Sequence, residues 1–408
     1  MSPTTAKQLL DVFLAKQRVH WYKPVQIAEI LYRKRIDPNS VDILDLETYR
    51  TKSKKWRDDI TMELLGRKST SSAKFQDDLF NNNAIPPSLL NILSQENIRT
   101  GGAVEAYIYS MFANKKSQLA NALSYAVNSS PQAFNVVHFI NSFYAEPGLK
   151  RSLDKIYEII VFALFSTLTN ELELEMQLSV ADNKINILRE FEDFTKNIMQ
   201  LSVDNLVSTE SAKVYRVGIT NAADRGLDMY ANWGPAIQIK HLALDEALAE
   251  SVVNSINSDR VIIVCKSAEQ RVIVSLLNQI GWKSKIQSIV TEQDLERWYE
   301  KALRGKFSEN MGVKLLQNIA NGISEEFPSV VQGQNSTIAC RNYDNIHDDI
   351  WRKITQPDKL VIAGGFGGSG CGRPAEQGFV LMYLLESRLA LKIGSSLGVK
   401  SHHKECLK

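Results

Sequence analysis

Three polar residues in the middle of the chain have the types and spacing that phosphodiester hydrolysis requires. They are Asp228, Gln238 and Lys240, in the segment GLDMYANWGPAIQIKHL. This chemistry needs a metal ion that stabilises charge on the phosphate and lowers the pKa of a bound water, and a cation near the attacking water. Carboxylate and amide oxygens are suitable ligands for Mg²⁺. One aspartate, one further oxygen ligand and one lysine therefore suffice.

A hairpin is expected to bring these side chains together. Asp228 is predicted to end one strand, and AIQIKHL is predicted to form the next strand after the turn NWGP. Because side chains alternate along a strand, Gln238 and Lys240 share one face, and the two isoleucines share the other. The alternative for Lys240 is a strand lysine that reaches solvent from the edge of a sheet.

A glutamate within an apolar helix is a further candidate. Glu158 lies in KIYEIIVFALF, just ahead of the predicted sheet, and a lone carboxylate in such a run is costly to bury without a partner. Because the carboxamide of Gln238 is a weaker Mg²⁺ ligand than a carboxylate, Glu158 is expected to assist Asp228. The alternatives are a structural pair with a lysine such as Lys155 and an exposed position at the end of the helix face. Glu105, in GGAVEAYIYSMF, is a weaker competitor.

Composition is that of an ordinary globular protein and excludes several classes. The 408 residues are 44% hydrophobic and 23% charged, with a formal net charge of +2, so any contact with DNA must be local. The four cysteines lack CxxC spacing, which argues against a zinc site or a disulfide framework. The first 21 residues carry charges within each short apolar run, so neither a signal peptide nor a membrane span is predicted. We expect a cytoplasmic protein.

The densest basic region is the stretch 52–74. Its alternative interpretation is a solvated helix face. The candidate DNA contacts are Lys52, Lys54, Lys55, Arg57, Arg67 and Lys68, and, near the hairpin, Arg216, Asn221 and Arg225.

The chain divides into four predicted regions. Residues 1–146 form a helical accessory or recognition domain, because apolar residues recur there at three- and four-residue spacing. Residues 147–310 mix helices with five short Val-, Ile- and Tyr-rich runs, which predicts an α/β (α+β) core with a central mixed sheet flanked by helices. Residues 311–355 form a helical closing segment. Residues 356–408 form a glycine-rich appendage of uncertain origin.

Two patterns ahead of the hairpin have definite periods. The alternation in ELELEMQL, residues 171–178, predicts a strand. The next stretch, NILREFEDFTKNIMQL, predicts one amphipathic helix that packs on a core. Its apolar stripe consists of Leu188, Phe191, Phe194, Ile198 and Leu201.

The hairpin resembles the PD-(D/E)xK nuclease motif, in which an aspartate is followed after a turn by an acidic or amide residue two positions before a lysine. The sequence departs from this motif twice, since Leu227 replaces the proline and Gln238 replaces the usual acid. The chain as a whole, over about residues 1–355, resembles the HaeII-like type II restriction endonucleases. NIRTGGAVEAYIYSMF, SLDKIYEIIVFALF, DRGLDMYANWGPAIQIKHL and the long helical front carry this resemblance.

The resemblance implies a site-specific nuclease that uses Mg²⁺, cuts both strands of a short palindrome in double-stranded DNA and leaves 5′-phosphates. A homodimer and a cognate DNA methyltransferase are implied as partners. Asp228 would then bind the metal, Gln238 would occupy the second ligand position, and the carbonyl of Ile239 would complete the coordination. Lys240 would activate or orient the attacking water.

Two other functions fit parts of the sequence. The run Gly365–Gly370 spells G-x-G-x-x-G, but fewer than forty residues follow Gly370, too few for a dinucleotide-binding sheet, so a flexible connector is favoured. A non-catalytic DNA-binding protein could use PVQIAEILYRKR and the basic stretch as a helix-turn-helix module. Such a protein has no need of the Asp228–Lys240 hairpin.

Overall fold

The computed structural model describes residues 2–17, 21–69, 76–145, 152–217, 227–269, 272, 285–328 and 336–352. Its helices are α1 Pro3–Ala15, α2 Tyr22–Ile36, α3 Arg50–Leu65, α4 Pro87–Arg99, α5 Ala103–Asn128, α6 Val136–Ala145, α7 Leu153–Glu171, α8 Ile185–Glu190, α9 Glu192–Met199, α10 Glu246–Ser255, α11 Glu292–Arg304, α12 Ser308–Glu326 and α13 Ser336–Ala339. Its strands are β1 Glu175–Ser179, β2 Val207–Ser211, β3 Val214–Arg216, β4 Met229–Ala231, β5 Ala236–Leu244, β6 Val261–Ala268 and β7 Ile286–Thr291.

A five-stranded mixed sheet in the order β3-β4-β5-β6-β7 confirms the expected α/β class. The first three strands pair antiparallel, and β5, β6 and β7 pair parallel. The apolar run Val261–Cys265 is continuous because β6 lies between β5 and β7 and is covered on both faces. Strands β5 and β6 are joined through α10, since a parallel pair requires a crossover connection.

Helix boundaries around the sheet follow local capping chemistry. Helix α10 begins after Asp245, whose side chain accepts a hydrogen bond from the amide of Leu248. Helix α11 begins with a capping box between Thr291 and Asp294. Such caps satisfy amide groups that the first turn of a helix leaves without partners.

Three apolar clusters form the interior. One covers a sheet face with α6, α7, α11, α12 and the second half of α5. Another packs α10 on the opposite face. The third joins α1 to α4 with the first half of α5 and with Tyr343 and Trp351. Helix α5 has 26 residues, about 39 Å at the usual rise, and so contributes to two clusters.

These clusters do not follow the expected boundaries at residues 146 and 310. Helix α12 packs on α7 within the first of these clusters rather than in a separate closing segment. Residues 343–351 pack on the helical front instead. The appendage from residue 356 lies outside the described residues.

Two local predictions ahead of the sheet need correction. The strand expected from Glu171 begins at Glu175, because α7 continues to Glu171. The single amphipathic helix is interrupted at Phe191, and the prediction that it packs on a core is wrong. Leu188 and Leu201 are buried, but Phe191, Phe194 and Ile198 are 52%, 52% and 67% exposed. Periodicity identified the apolar side of this segment but not what lies opposite it.

Candidate active site

The predicted hairpin forms between β4 and β5. Met229 pairs with Ile237, and the turn that joins the strands places Gly234 at a φ of 120°. A side chain at Gly234 would be strained by this φ and would collide with Arg260, which bonds to the carbonyl of Trp233. Asp228 lies just before β4 rather than at the end of a strand, so that part of the prediction is corrected.

The Asp228 carboxylate connects the two strands. Its Oδ2 atom accepts hydrogen bonds from Nε2 of Gln238 at 2.6 Å and from the amide of Ile239 at 2.7 Å. Burial raises the pKa of Asp228, although the Ile239 amide and the positive charges of Lys240 and Lys155 oppose this shift. The structure therefore brings together the aspartate and the glutamine that sequence spacing had paired.

The side-chain carbonyl of Gln238 lacks a hydrogen-bond partner. Gln238 is 1% exposed, and its Oε1 atom is buried and unbonded among the described residues. A buried polar oxygen without a partner is costly and rare in folded proteins. The amide presents its nitrogen to Asp228, so a ligand that reached the oxygen would relieve its cost, and one shared with the carboxylate would require the amide to turn.

Lys240 lies on the same face of β5 as Gln238 and is half-buried. It forms no ion pair within the part of the chain that the structure describes, and its charge lowers the pKa of Asp228. Strand β5 shifts register against β6 directly after it, between Lys240 and Ala243. Irregularities of this kind are frequent beside active sites, where they redirect a side chain.

Glu158 joins the site from α7 and also forms the structural pair that was the alternative. Its two oxygens lie 2.9 and 2.7 Å from Nζ of Lys155. Burial raises the pKa of Glu158; Lys155 lowers it, and the negative charge of Asp228 raises it further. The two carboxylates are thus near enough to interact electrostatically.

His241 is a residue of this site that sequence reasoning missed. It follows Lys240 on β5 and faces the opposite side, between the rings of Tyr144 and Tyr157. Its Nδ1 is 2.9 Å from the Tyr144 hydroxyl, and its Nε2 is 3.3 Å from Oε2 of Glu292. The sequence did contain a signal for His241, because strand alternation places this polar residue on the same face of β5 as the two isoleucines. These contacts fix β5 against α6, α7 and α11.

The basic candidates are not all on one surface. Lys52, Lys55 and Lys68 are exposed, whereas Lys54 pairs with Asp77. Arg57 is 2% exposed and binds Asp58, Gln26 and Gln76. Its position therefore does not support the expected DNA contact.

The remaining basic candidates surround α12. Arg216 forms a buried ion pair with Glu326, and Arg67 donates to the Glu326 carbonyl at 2.7 Å. These bonds connect the end of α12 to β3 and to the segment that follows α3. Asn221 and Arg225 lie outside the described residues.

The site offers oxygen ligands of mixed kind for a metal. Among the described residues no group of three or more His, Cys, Asp and Glu side chains has metal-binding geometry. The fitting set consists of the Asp228 carboxylate, the unpaired Oε1 of Gln238 and a backbone carbonyl. The N–H and C=O of one strand residue point to the same edge, so the Ile239 carbonyl is directed towards Asp228 as its amide is. Hard oxygen donors of this kind suit Mg²⁺.

A model of the HaeII restriction endonuclease family matches residues 6–364. The chain belongs to this family. It is therefore a type II restriction endonuclease, a site-specific deoxyribonuclease acting on double-stranded DNA. The non-catalytic DNA-binding alternative is thereby set aside.

Two curated type II restriction enzymes are similar to the chain over most of their own length. The chain is 55% identical to the type II restriction enzyme HaeII of Haemophilus aegyptius over 324 residues, which is 79% of this chain and 92% of the relative. It is 53% identical to the type II restriction enzyme NgoBI of Neisseria gonorrhoeae over 325 residues, 80% of this chain and 92% of the relative. No solved structure matches significantly.

The family match ends at Gly364, the first glycine of the glycine-rich run, so the G-x-G-x-x-G stretch Gly365–Gly370 is outside it. Enzymes of this class generally need divalent metal ions. In the described part of the chain, no helix has the length and apolar character needed to cross a membrane.

Proposed function

We propose that this HaeII-family enzyme hydrolyses both strands of a short palindromic DNA site in a Mg²⁺-dependent reaction carried out at the β4–β5 hairpin. The observation that carries the proposal is the buried Oε1 of Gln238, which has no hydrogen-bond partner among the described residues and belongs to the amide that donates to Asp228. Asp228, Gln238, the Ile239 carbonyl and Glu158 would hold the ion. When bound, the ion supplies charge stabilisation on the phosphate and a water of lowered pKa.

The protein groups have separate tasks in this proposal. Lys240 orients the attacking water and stabilises the negative charge that develops on the phosphate. Water adds to phosphorus, the bond to the 3′ oxygen breaks, and a 5′-phosphate and a 3′-hydroxyl remain. Glu158, whose pKa is raised by burial, contributes a carboxylate that Gln238 cannot supply. His241 keeps β5 in place without touching the reacting atoms.

The two-fold symmetry of a palindromic DNA site supports a homodimer. The described residues contain one such hairpin, and a palindrome presents the same half-site twice, so two identical subunits each cut one strand. Exposed Lys52, Lys55 and Lys68 are proposed to contact phosphates. Asn221 and Arg225, which lie outside the described residues and beside the hairpin in sequence, are proposed to contact DNA there. A cognate methyltransferase protects the same site in host DNA, and the enzyme acts in the cytoplasm.

The test is cleavage of long unmethylated DNA by the wild type and by Lys240→Ala, with Mg²⁺ and with EDTA. We expect discrete fragments from the wild type with Mg²⁺ alone, and a cleavage rate lower by at least about 100-fold for the variant, the usual cost of removing one charge-stabilising group. Fragment ends should be ligatable, as 5′-phosphates are. Lys301→Ala, an exposed lysine on α11, is the matched control.

A DNA-binding assay distinguishes between the ways in which the proposal could fail. Lys240→Ala should still retard cognate DNA in a gel-shift assay without metal, since it loses a catalytic cation and not the recognition surface. Wild-type rates for Lys240→Ala would reject the assignment of the site. Uncut DNA in every lane, on a substrate of varied sequence, would reject the proposed reaction itself.

A further inference from the structure

Lys155 is a cation of the candidate active site to which the proposed reaction gives no task. It is the third residue of α7, and its Nζ atom lies 2.9 Å from Oε1 and 2.7 Å from Oε2 of Glu158. One ammonium group therefore donates to both oxygens of the carboxylate that is proposed to assist Asp228.

The charge of Lys155 also acts on the second carboxylate of the site. Burial raises the pKa of Glu158 and of Asp228, and the positive charge of Lys155 opposes this rise in both. The two acids lie on different elements, α7 and the segment just before β4. Two proposed ligands of a divalent metal ion thus share one internal cation.

Pairing with a lysine distinguishes Glu158 from the other buried glutamates. Four glutamates are buried in the described part of the chain, and Glu158 is the one that pairs with a lysine. The other three bind arginines: Glu29 binds Arg341, Glu105 binds Arg35 and Glu326 binds Arg216. A guanidinium holds a carboxylate through a rigid fork of donors, whereas a lysine is a point charge on a flexible stem. The lysine of the active site is therefore the cation that can leave its partner most easily.

The position of Lys155 is unfavourable for α7 itself. The amino end of a helix carries a partial positive charge, so the first turn favours an acid such as Asp154 and disfavours a lysine. The energetics of the helix therefore do not explain why a lysine is present here. Its side chain is 37% exposed, so the ammonium group can move into solvent without disturbing the core around α7.

A bound metal ion would remove the need for this ion pair. In the free protein, Lys155 offsets the cost of burying the Glu158 carboxylate. A Mg²⁺ ion on Glu158 would supply positive charge in its place and would lie close to the ammonium group. Like charges repel strongly where the surroundings are partly buried, so the two cations compete for the same carboxylate.

We infer that Lys155 is an internal competitor of the metal ion, whose ammonium group occupies Glu158 in the free enzyme and leaves it when Mg²⁺ binds. The inference rests on the proposed Mg²⁺ site and adds to it a residue that sets the affinity of the site. Lys155 keeps the buried carboxylate paired in the free enzyme, which binds Mg²⁺ more weakly as a result.

The test is the Mg²⁺ dependence of the melting temperature of the full-length protein without DNA, which reports metal affinity for the folded state. Lys155→Met removes the charge and keeps the length of the side chain. It should lower the melting temperature without Mg²⁺ and lower the apparent Kd for Mg²⁺ about tenfold, the affinity that a hydrogen bond to a charged group is typically worth. Lys155→Arg restores the charge, so its Kd should be at least as high as that of the wild type.

Lys314→Met is the matched control. Lys314 binds Glu171 at the other end of α7 with an Nζ–Oε1 distance of 2.6 Å, so this variant loses a lysine–glutamate pair of the same helix outside the site. Its Kd for Mg²⁺ should equal that of the wild type. Adding Glu158→Gln to Lys155→Met should abolish most of the gain in affinity. Lys155→Gln, which keeps a hydrogen-bond donor, carries the same expectation if Lys155→Met fails to fold.

Two results would overturn the inference, and they differ in what they say about the site. A purely structural pair would lower the melting temperature of Lys155→Met but leave its Kd for Mg²⁺ at the wild-type value, and the proposed site would stand. An effect of Mg²⁺ that is equal in the wild type and in Asp228→Asn would reject the proposed site together with the inference.

Discussion

Two buried acidic clusters in this molecule are satisfied to different degrees. In the helical front, Glu105 accepts hydrogen bonds from Arg35 and from Asn97, the latter at 2.8 Å. Glu29 accepts from the Tyr109 hydroxyl and from both terminal nitrogens of Arg341. Each acid has an arginine and a neutral donor, and together they attach α2, α4 and α5 to the segment 341–343.

The hairpin cluster is satisfied less fully. Asp228 has no ion-pair partner within 4 Å among the described residues, its two hydrogen bonds come from an amide side chain and a backbone amide, and Gln238 keeps one oxygen unpaired. A fully bonded buried network stabilises one conformation, whereas an incomplete one costs free energy unless a ligand completes it. The comparison shows why Glu105, a competitor for the catalytic acid from sequence, is structural.

Paired substitutions should separate the two clusters most strongly. Asp228→Asn should lower the cleavage rate by at least about 100-fold, because it removes the proposed anionic metal ligand, while the free energy of unfolding stays the same or rises. Glu105→Gln should lower the free energy of unfolding by about 3 kcal/mol, since it leaves the Arg35 charge partly buried without its partner. Its cleavage rate should be unchanged at temperatures where it remains folded.

Urea unfolding and cleavage assays on both variants check this split. Two results would contradict the comparison. In the first, Asp228→Asn lowers the free energy of unfolding, but the molecules that remain folded cleave DNA at the wild-type rate. In the second, Glu105→Gln is as stable as the wild type but does not cleave DNA. Arg35→Gln is a second control, and it should resemble Glu105→Gln.

A smaller effect is expected from placing a carboxylate where the nuclease motif usually has one. Gln238→Glu loses the hydrogen bond to Asp228 and sets two carboxylates side by side. Without metal, its free energy of unfolding should fall by about 2 kcal/mol, near the cost of a buried polar group left without a partner. Mg²⁺ should restore stability and raise its melting temperature more than that of the wild type. Equal Mg²⁺ shifts for both proteins would remove Gln238 from the proposed ligand set. Gln132→Glu, at an exposed loop position, is the control.

The sequence predicted the hairpin because local rules and tertiary structure agree there. Strand geometry requires side chains to alternate, which places Gln238 and Lys240 on one face. A short turn that contains Gly234 favours a hairpin between the two strands that flank it. The mixed sheet followed from apolar runs such as Val261–Cys265. These features depend on residues that are near in sequence.

Features that depend on distant partners were not predictable in this way. Arg57 lay in a basic run typical of a solvated surface, yet its bonds to Gln26 and Gln76 come from residues 31 and 19 positions away. His241 owes its place to Tyr144 and Glu292, on two other helices. The apolar stripe that includes Phe194 predicted a helix, but it did not predict whether another element packs against that helix.

The smallest expected effect is a pH dependence of stability, part of which should be lost when a carboxyl of the hairpin cluster is substituted. The pKa values of Asp228 and Glu158 are raised by burial from ordinary values of 3.8 and 4.5. A carboxyl with a raised pKa holds its proton more tightly in the folded state, so its contribution to stability is full below the ordinary value and is lost as the pH rises through the raised pKa.

The share of the free energy of unfolding that these two carboxyls contribute without metal should therefore fall from pH 4 upwards. Asp77, Glu192, Asp294 and Glu300 contribute a trend of the opposite sign, because hydrogen bonds to their ionised forms lower their pKa values. The quantity to follow is thus the difference in free energy of unfolding between the wild type and Asp228→Asn, which should fall as the pH rises. Mg²⁺ competes with these protons, so its affinity should rise over the same range. Urea unfolding at a series of pH values, with and without Mg²⁺, measures both trends. Glu105 is a confounding group, since its pKa is also raised by burial, and Glu105→Gln would remove only its own part of the slope. An Asp228→Asn profile parallel to that of the wild type would show that the hairpin carboxylate is ionised through this range and that its burial has no thermodynamic cost.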